Sequence, residues 1–250
     1  MSAAGGVGAS VSAMRAAVGA AAGGRGQLVV VEGPAGLGKS WLLRAALEDA
    51  RERGLRVLAA RGSELEREFS FGLVRQLFEP AVAAAGERGC ESLFAGPAAP
   101  ARALFESGPA GAGVGGDGSC VVLHGLYRLL WNVAGGAGLV VAVDDVQWGD
   151  LPSLRFLVFL LSRLETLPLA LLVALRDGEC AQNALAAQIA SAPSAIALRA
   201  RPLSRGEVAG LVAGALGREP GPRFTQECHA ATAGNPLFLR ALLGEVSTRG

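Results

Sequence analysis

The sequence predicts an α/β fold: a parallel five-stranded sheet flanked by helices, followed by a small, incomplete α-helical domain. Three observations carry this expectation. As far as Arg201, short continuous apolar runs, the form taken by strands buried on both faces, alternate with stretches of helical spacing. A glycine-rich turn, Gly33-Pro34-Ala35-Gly36-Leu37-Gly38-Lys39-Ser40, stands between the first such run and the first helix. After Arg201-Pro202 the pattern becomes purely helical.

The elements follow in order. Ser2 to Gly24 is rich in Ala and Gly and reads as a frayed lead-in or weak helix, so residues 1–24 are set apart as flexible or weakly helical. Gln27–Glu32 is the first strand, and Trp41, Leu42, Leu43, Ala46 and Leu47 give a helix ending near Gly54. Leu55–Ala60 is a second strand, and Phe69–Ala85 carries a helical face. Gly86–Ser119 is expected to be a long, mostly irregular insertion that is mobile or holds short helices around Ala101–Phe105. A helical stripe from Val122 to Val133 leads to the third strand, Leu139–Val143, which runs into Asp144-Asp145.

Asp150 is a candidate N-cap for a helix over Pro152–Leu164. Leu169–Leu175, a helix over Ala181–Ile189 and a strand at Ala195–Leu198 complete the domain, which spans residues 25–201. Residues 202–250 begin the helical domain: Ser204-Arg205-Gly206-Glu207 is a capping box, and further helices are expected at Arg223–Ala233 and Pro236–Val246.

Composition narrows the function. The net charge is +1, with 23 basic and 22 acidic residues and no long run of either sign, so a broad nucleic-acid footprint is not expected. Cys90, Cys120, Cys180 and Cys228 form no C-x-x-C pair, which fits reduced thiols in a cytoplasmic protein. The most apolar stretch, Leu154–Leu175, is broken by Arg155, Arg163, Glu165 and Pro168 and is no membrane span.

Lys39 is the one lysine in the chain; all its other fixed cations are arginines. It occupies the lysine of G-x-x-x-x-G-K-[ST], the phosphate loop of P-loop NTPases, in the strand–turn–helix context that the motif requires. Glycines let successive backbone N–H groups turn inward as an anion nest at a helix N-terminus. Lys39 adds a compact charge for β- and γ-phosphates, and Ser40 offers a hydroxyl to Mg²⁺. The expected ligands are therefore ATP or ADP with Mg²⁺.

Asp144 ends a very apolar strand, where a Walker-B carboxylate that holds Mg²⁺ belongs. Asp145 is placed to polarise the attacking water, although the pair could instead cap the following turn. Arg176 closes the next strand on the same edge, as a γ-phosphate sensor or as an ordinary ion-pair partner of Asp177 or Glu179. Trp148 reads as packing, and His124 and His229 as structural or solvated.

The phosphate loop followed by Trp41-Leu42-Leu43, the segment Arg61–Pro80 (RGSELEREFSFGLVRQLFEP) and Val143-Asp144-Asp145-Val146-Gln147-Trp148-Gly149-Asp150 together resemble the ATPase module of large LuxR-type transcriptional regulators. These are related to the maltose regulator and the STAND class of AAA-like P-loop proteins. Gly234-Asn235-Pro236-Leu237-Phe238-Leu239 is similar to the family's Gly-Asn-Pro motif. The resemblance implies a nucleotide-driven switch that self-associates in its ATP state. It assigns Lys39 and Ser40 to phosphate and Mg²⁺, Asp144 to Mg²⁺, Asp145 to water, Arg176 to the γ-phosphate and Pro236 to the adenine side.

The family's Gly-Arg-Glu motif is missing ahead of the first strand. No helix-turn-helix follows the helical segment, so DNA is expected to be reached only through a missing or separate one. Competing readings are a ring-forming remodelling ATPase and a nonhydrolysing nucleotide-bound scaffold.

Overall fold

The computed structural model describes residues 6–106, 120–179 and 183–249. Five strands, β1 (Gln27–Glu32), β2 (Arg56–Arg61), β3 (Leu139–Asp144), β4 (Leu169–Leu175) and β5 (Ala195–Arg199), form one sheet in the order β2-β3-β4-β1-β5. Every pairing is parallel. The expected parallel five-stranded sheet flanked by helices is therefore the observed fold.

Alternation along the strands divides the core in two, because successive side chains point to opposite faces. Leu28, Val30, Val141, Val143, Leu171 and Val173 face one layer. That layer is built from α3 (Gly72–Leu93), α5 (Cys120–Ala134), α6 (Leu151–Leu161) and α7 (Ala184–Ala190), with the short α4 (Ala103–Glu106) beside them. Val29, Val31, Val140, Ala142, Leu172 and Ala174 face the other layer, made by α1 (Val7–Ala22) and α2 (Lys39–Glu52). A third, separate cluster centred on Leu203, Val208, Val212, Cys228 and Leu239 holds together α8 (Arg205–Leu216), α9 (Pro222–Thr232) and α10 (Pro236–Arg249). No helix among the described residues is long and apolar enough to cross a membrane.

Two expectations left alternatives open, and the structure chooses between them. Of a frayed lead-in and a helix at the Ala/Gly-rich start, the helix is what forms: it runs from Val7 to Ala22, with Met14, Ala17, Val18 and Ala21 buried against the sheet. Its small side chains let backbones approach closely; a Cβ placed on Gly138 would lie 2.7 Å from the carbonyl oxygen of Ala21. For the segment from Gly86, the alternative of short helices around Ala101–Phe105 holds as far as it is described, and the part before them is helical rather than irregular. α3 continues through a kink at Gly86 (φ 65°) to Leu93, and a 3-10 turn at Gly96–Ala101 leads into α4. Ala98, Ala101 and Leu104 are buried, and Phe94 and Phe105 meet at 5.5 Å between ring centres, so the glycines and prolines here shape a packed corner. Residues 107–119 of that expected insertion lie outside the described residues, as do Ala181 and Gln182 of the expected helix.

Asp150 is the expected cap of α6 and does more. Its Oδ1 accepts from the N–H of Ser153 at 2.9 Å and of Phe71 at 2.8 Å, and its Oδ2 accepts from Leu73 N–H at 3.1 Å. One carboxylate thus caps α6 and staples the start of α3, where Phe71 adopts a left-handed φ of 61°. Asp150→Ala leaves three buried amides without acceptors, so it should lower unfolding stability by about 2–4 kcal/mol, with Asp150→Asn intermediate. Denaturant titration checks this.

Candidate functional site

Because all five strands are parallel, their carboxyl ends share one edge, the side on which open α/β sheets place their ligands. β4 lies between β1 and β3. The loop after β1, Arg176 after β4, Asp144-Asp145 after β3 and Arg61 at the end of β2 therefore succeed one another across the sheet. Arg61 pairs in register with Asp144.

The loop Gly33–Ser40 connects β1 to α2. Gly36 and Gly38 adopt φ of 82° and 85°, the left-handed conformation that glycine enters without steric cost. A Cβ on Gly36 would lie 3.1 Å from the side-chain amide of Asn235, so the loop is pressed directly against the start of α10. Gly38 is the N-cap of α2 and supplies no side-chain acceptor, which leaves the first-turn amides of α2 available to an anion.

Lys39 is buried at 6% exposure, and its ammonium donates to the carbonyls of Gly33 (2.6 Å) and Pro34 (2.8 Å). Among the described residues no carboxylate lies within ion-pair distance of it. Burial lowers its pKa from the ordinary 10.5; Asp145 opposes this, Arg176 adds to it, and Asp144 and Asp177 oppose it more weakly. A buried cation held only by carbonyls has unspent capacity for an anion.

The carboxylate of Asp145 is spoken for. With its side chain 7% exposed, it receives Arg61 Nη2 at 3.0 Å on Oδ2, and Arg176 Nε at 3.3 Å and Gln147 Nε2 at 3.3 Å on Oδ1. Its own φ of 49° is left-handed, so the chain turns sharply after β3 and presents this side chain to the cavity. Asp144 is half-buried, and its Oδ1 accepts the N–H of Asp145 at 3.1 Å. Arg176 also pairs with Glu179 at 3.6 Å, and Glu179 accepts from Gln147.

These groups open into a cavity of about 470 Å³ between the sheet edge and the helical region. Ala35, Gly36, Leu37, Gly38, Lys39 and Ser40 line one end, with Asp145 and Arg176 beside them. The helical side adds Pro236, Leu237, Arg240 and Glu207, and the first turn of α1 closes the wall. The structure thus brings together the sequence-derived candidates from Ala35 to Ser40, Asp145, Arg176 and Pro236. Gly33 and Pro34 do not line the cavity but accept from Lys39, and Asp144 does not line it either, accepting instead the N–H of Asp145.

Sequence reasoning missed Arg61, Gln147, Glu207 as a cavity residue, and the α1 turn. For Arg61 a signal existed, since it ends a strand on the acidic edge. His229 lies outside the site with Nε2 3.2 Å from the Leu203 carbonyl, and His124 stacks on Tyr127.

The donor set fits a nucleoside triphosphate with Mg²⁺: a glycine loop ending at a helix start, an ammonium with no ion-pair partner among the described residues, the Ser40 hydroxyl, and Asp145 on the cavity wall with Asp144 next to it in the chain. Residues 8–173 match the AAA ATPase domain family. No curated protein matches the chain by sequence. Among solved structures, the chain is similar to the Orc1 protein of Aeropyrum pernix in complex with DNA (16% identity, TM-score 0.53, covering 97% of this chain and 60% of that one). It is also similar to the Thermotoga maritima RuvB Holliday junction branch migration motor (13%, 0.53, 97% and 62%). A third likeness is to the replication initiator DnaA bound to AMPPCP and single-stranded DNA (15%, 0.50, 93% and 59%). At these identities the likeness is one of fold, and the chain spans about three-fifths of each of those proteins.

The lowered pKa of Lys39 has a measurable sign. Below 10.5 the unfolded chain holds this proton more tightly than the folded one, so this residue makes stability rise as pH climbs from its folded pKa towards 10.5. Bound polyphosphate reverses the preference, so binding should take up protons in that window. Calorimetry in buffers of different ionisation enthalpy checks this, and Lys39→Met should abolish the uptake.

Proposed function

Because the chain belongs to the AAA ATPase domain family, we propose that it binds ATP with Mg²⁺ and hydrolyses it slowly, as a nucleotide-dependent switch of the kind found in large LuxR-type transcriptional regulators. The observation that carries this reading is the position of the cavity. Its walls come from the sheet edge on one side and from the cluster of α8–α10 on the other, so a ligand in it touches both cores and is sensitive to the angle between them.

In this reading the main chain of Gly33–Gly38 and the ammonium of Lys39 hold the β- and γ-phosphates, and Pro236 packs at the adenine side. Ser40 and Asp144 hold Mg²⁺, which when bound neutralises phosphate charge. Asp145 orients the attacking water and takes its proton, and Arg176 senses the γ-phosphate. The pairing of Asp145 with Arg61 and Arg176 supports slow turnover, since a carboxylate neutralised by two guanidiniums is a weak base. A γ-phosphate competes for those guanidiniums and frees the acid only when it is present. Self-association in the ATP state belongs to the same proposal, with operator DNA contacted by a helix-turn-helix outside these residues.

Lys39→Ala should weaken ATP binding by roughly 100-fold or more, because it removes a charge-assisted contact to phosphate. Asp145→Asn should keep binding and slow turnover by about 100-fold or more. Nucleotide titration and phosphate release measure both effects, and equal ATP affinity in wild type and Lys39→Ala would end the reading.

A further inference from the structure

Glu207 is used twice. Its Oε2 closes the capping box of α8, accepting the N–H and the hydroxyl of Ser204 at 2.8 Å each. Its Oε1 accepts the N–H of Val7 at 2.7 Å, from the far end of the chain. The first amides of a helix have no partner within it, and Gly6, the N-cap of α1, has no side chain to supply one. α1 is thus capped by a residue of α8. Burial pushes the Glu207 carboxyl up, but the Ser204 and Val7 hydrogen bonds outweigh it and hold the group below its ordinary 4.5. At neutral pH it is ionised, and its bonds are charge-assisted.

The turn anchored in this way belongs to both halves of the molecule. Val7 packs on the cluster formed by α8–α10, whereas Met14, Ala17, Val18 and Ala21 of the same helix belong to the sheet core. It is also a wall of the cavity, where Gly6, Val7, Gly8 and Ser10 stand beside Glu207 and Leu211. With phosphates at Lys39, the part of the cavity away from the loop is left for the nucleoside, and this wall bounds it.

We infer that Glu207 is a positioning residue of the nucleoside half of the site: by capping α1 from α8 it holds the Gly6–Ser10 wall against the nucleoside. Affinity for the nucleoside, and not for the phosphates, therefore depends on contact between the helical region and α1. This rests on the ATP-binding reading above, and the test separates the two.

The experiment compares affinities for ATP and for inorganic tripolyphosphate, each with Mg²⁺, in the full chain and three variants. Glu207→Ala removes the cap. Gly6→Ala puts a Cβ 2.7 Å from Oε1 and displaces the carboxylate without altering Ser204, which keeps the test open should Glu207→Ala fold poorly. Ser204→Ala removes half of the capping box and leaves the Val7 bond. Glu207→Ala and Gly6→Ala should each weaken ATP binding about tenfold while tripolyphosphate stays within about twofold, and Ser204→Ala should match wild type with both ligands. Amide exchange at Val7–Val11 should quicken in the first two variants only. Unchanged ATP affinity in Glu207→Ala and Gly6→Ala, or equal loss of both ligands, would overturn the inference while leaving ATP binding intact. Failure of wild type to bind either ligand would overturn the ATP reading itself, and this inference with it.

Discussion

The charge on Lys39 is the constraint around which the sheet edge is arranged. An ammonium buried among carbonyls is costly, and the nearest remedy, an ion pair with the acid across the edge, is not taken. Asp145 instead spends its charge on Arg61 and Arg176, which reach it from the strands on either side. That allocation depends on β4 lying between β1 and β3, because the insertion sets Arg176 between the lysine and the acid.

The same economy explains why the residues around the cavity come from so many elements. The sheet supplies rigid edges and one buried cation, while α8 and α10 supply the opposite wall. Asn235 packs against Gly36, so the glycine loop and the start of α10 are direct neighbours. α1 joins both halves, with its body in one core and its first residue in the other. A ligand filling this space would touch residues of both cores, and under the proposed switch it would act through any difference in its affinity for two placements of them.

The AAA ATPase family match covers the sheet domain as far as β4, and the helical region enters through the fold likeness to the Orc1, RuvB and DnaA structures. Family membership accounts for the sheet and the phosphate loop. Within that frame, Asp145 is held by two arginines and the first turn of α1 by Glu207.

Signals that are local in sequence were legible without coordinates. Continuous apolar runs marked the strands, spacing marked most helices, Asp150 and Ser204-Glu207 marked helix starts, and the glycine loop with its single lysine marked one end of the cavity. α1 was legible only as one of two alternatives because alanine and glycine carry little hydrophobic contrast; its order comes from close backbone approach, which only a packed sheet provides. Arg61 escaped as a partner of Asp145 because their meeting depends on strand order, and Glu207 was visible as a cap for α8 but not for α1, two hundred positions away. Patterning and capping are written residue by residue, whereas the sharing of one carboxylate between distant groups is decided only when the chain closes on itself.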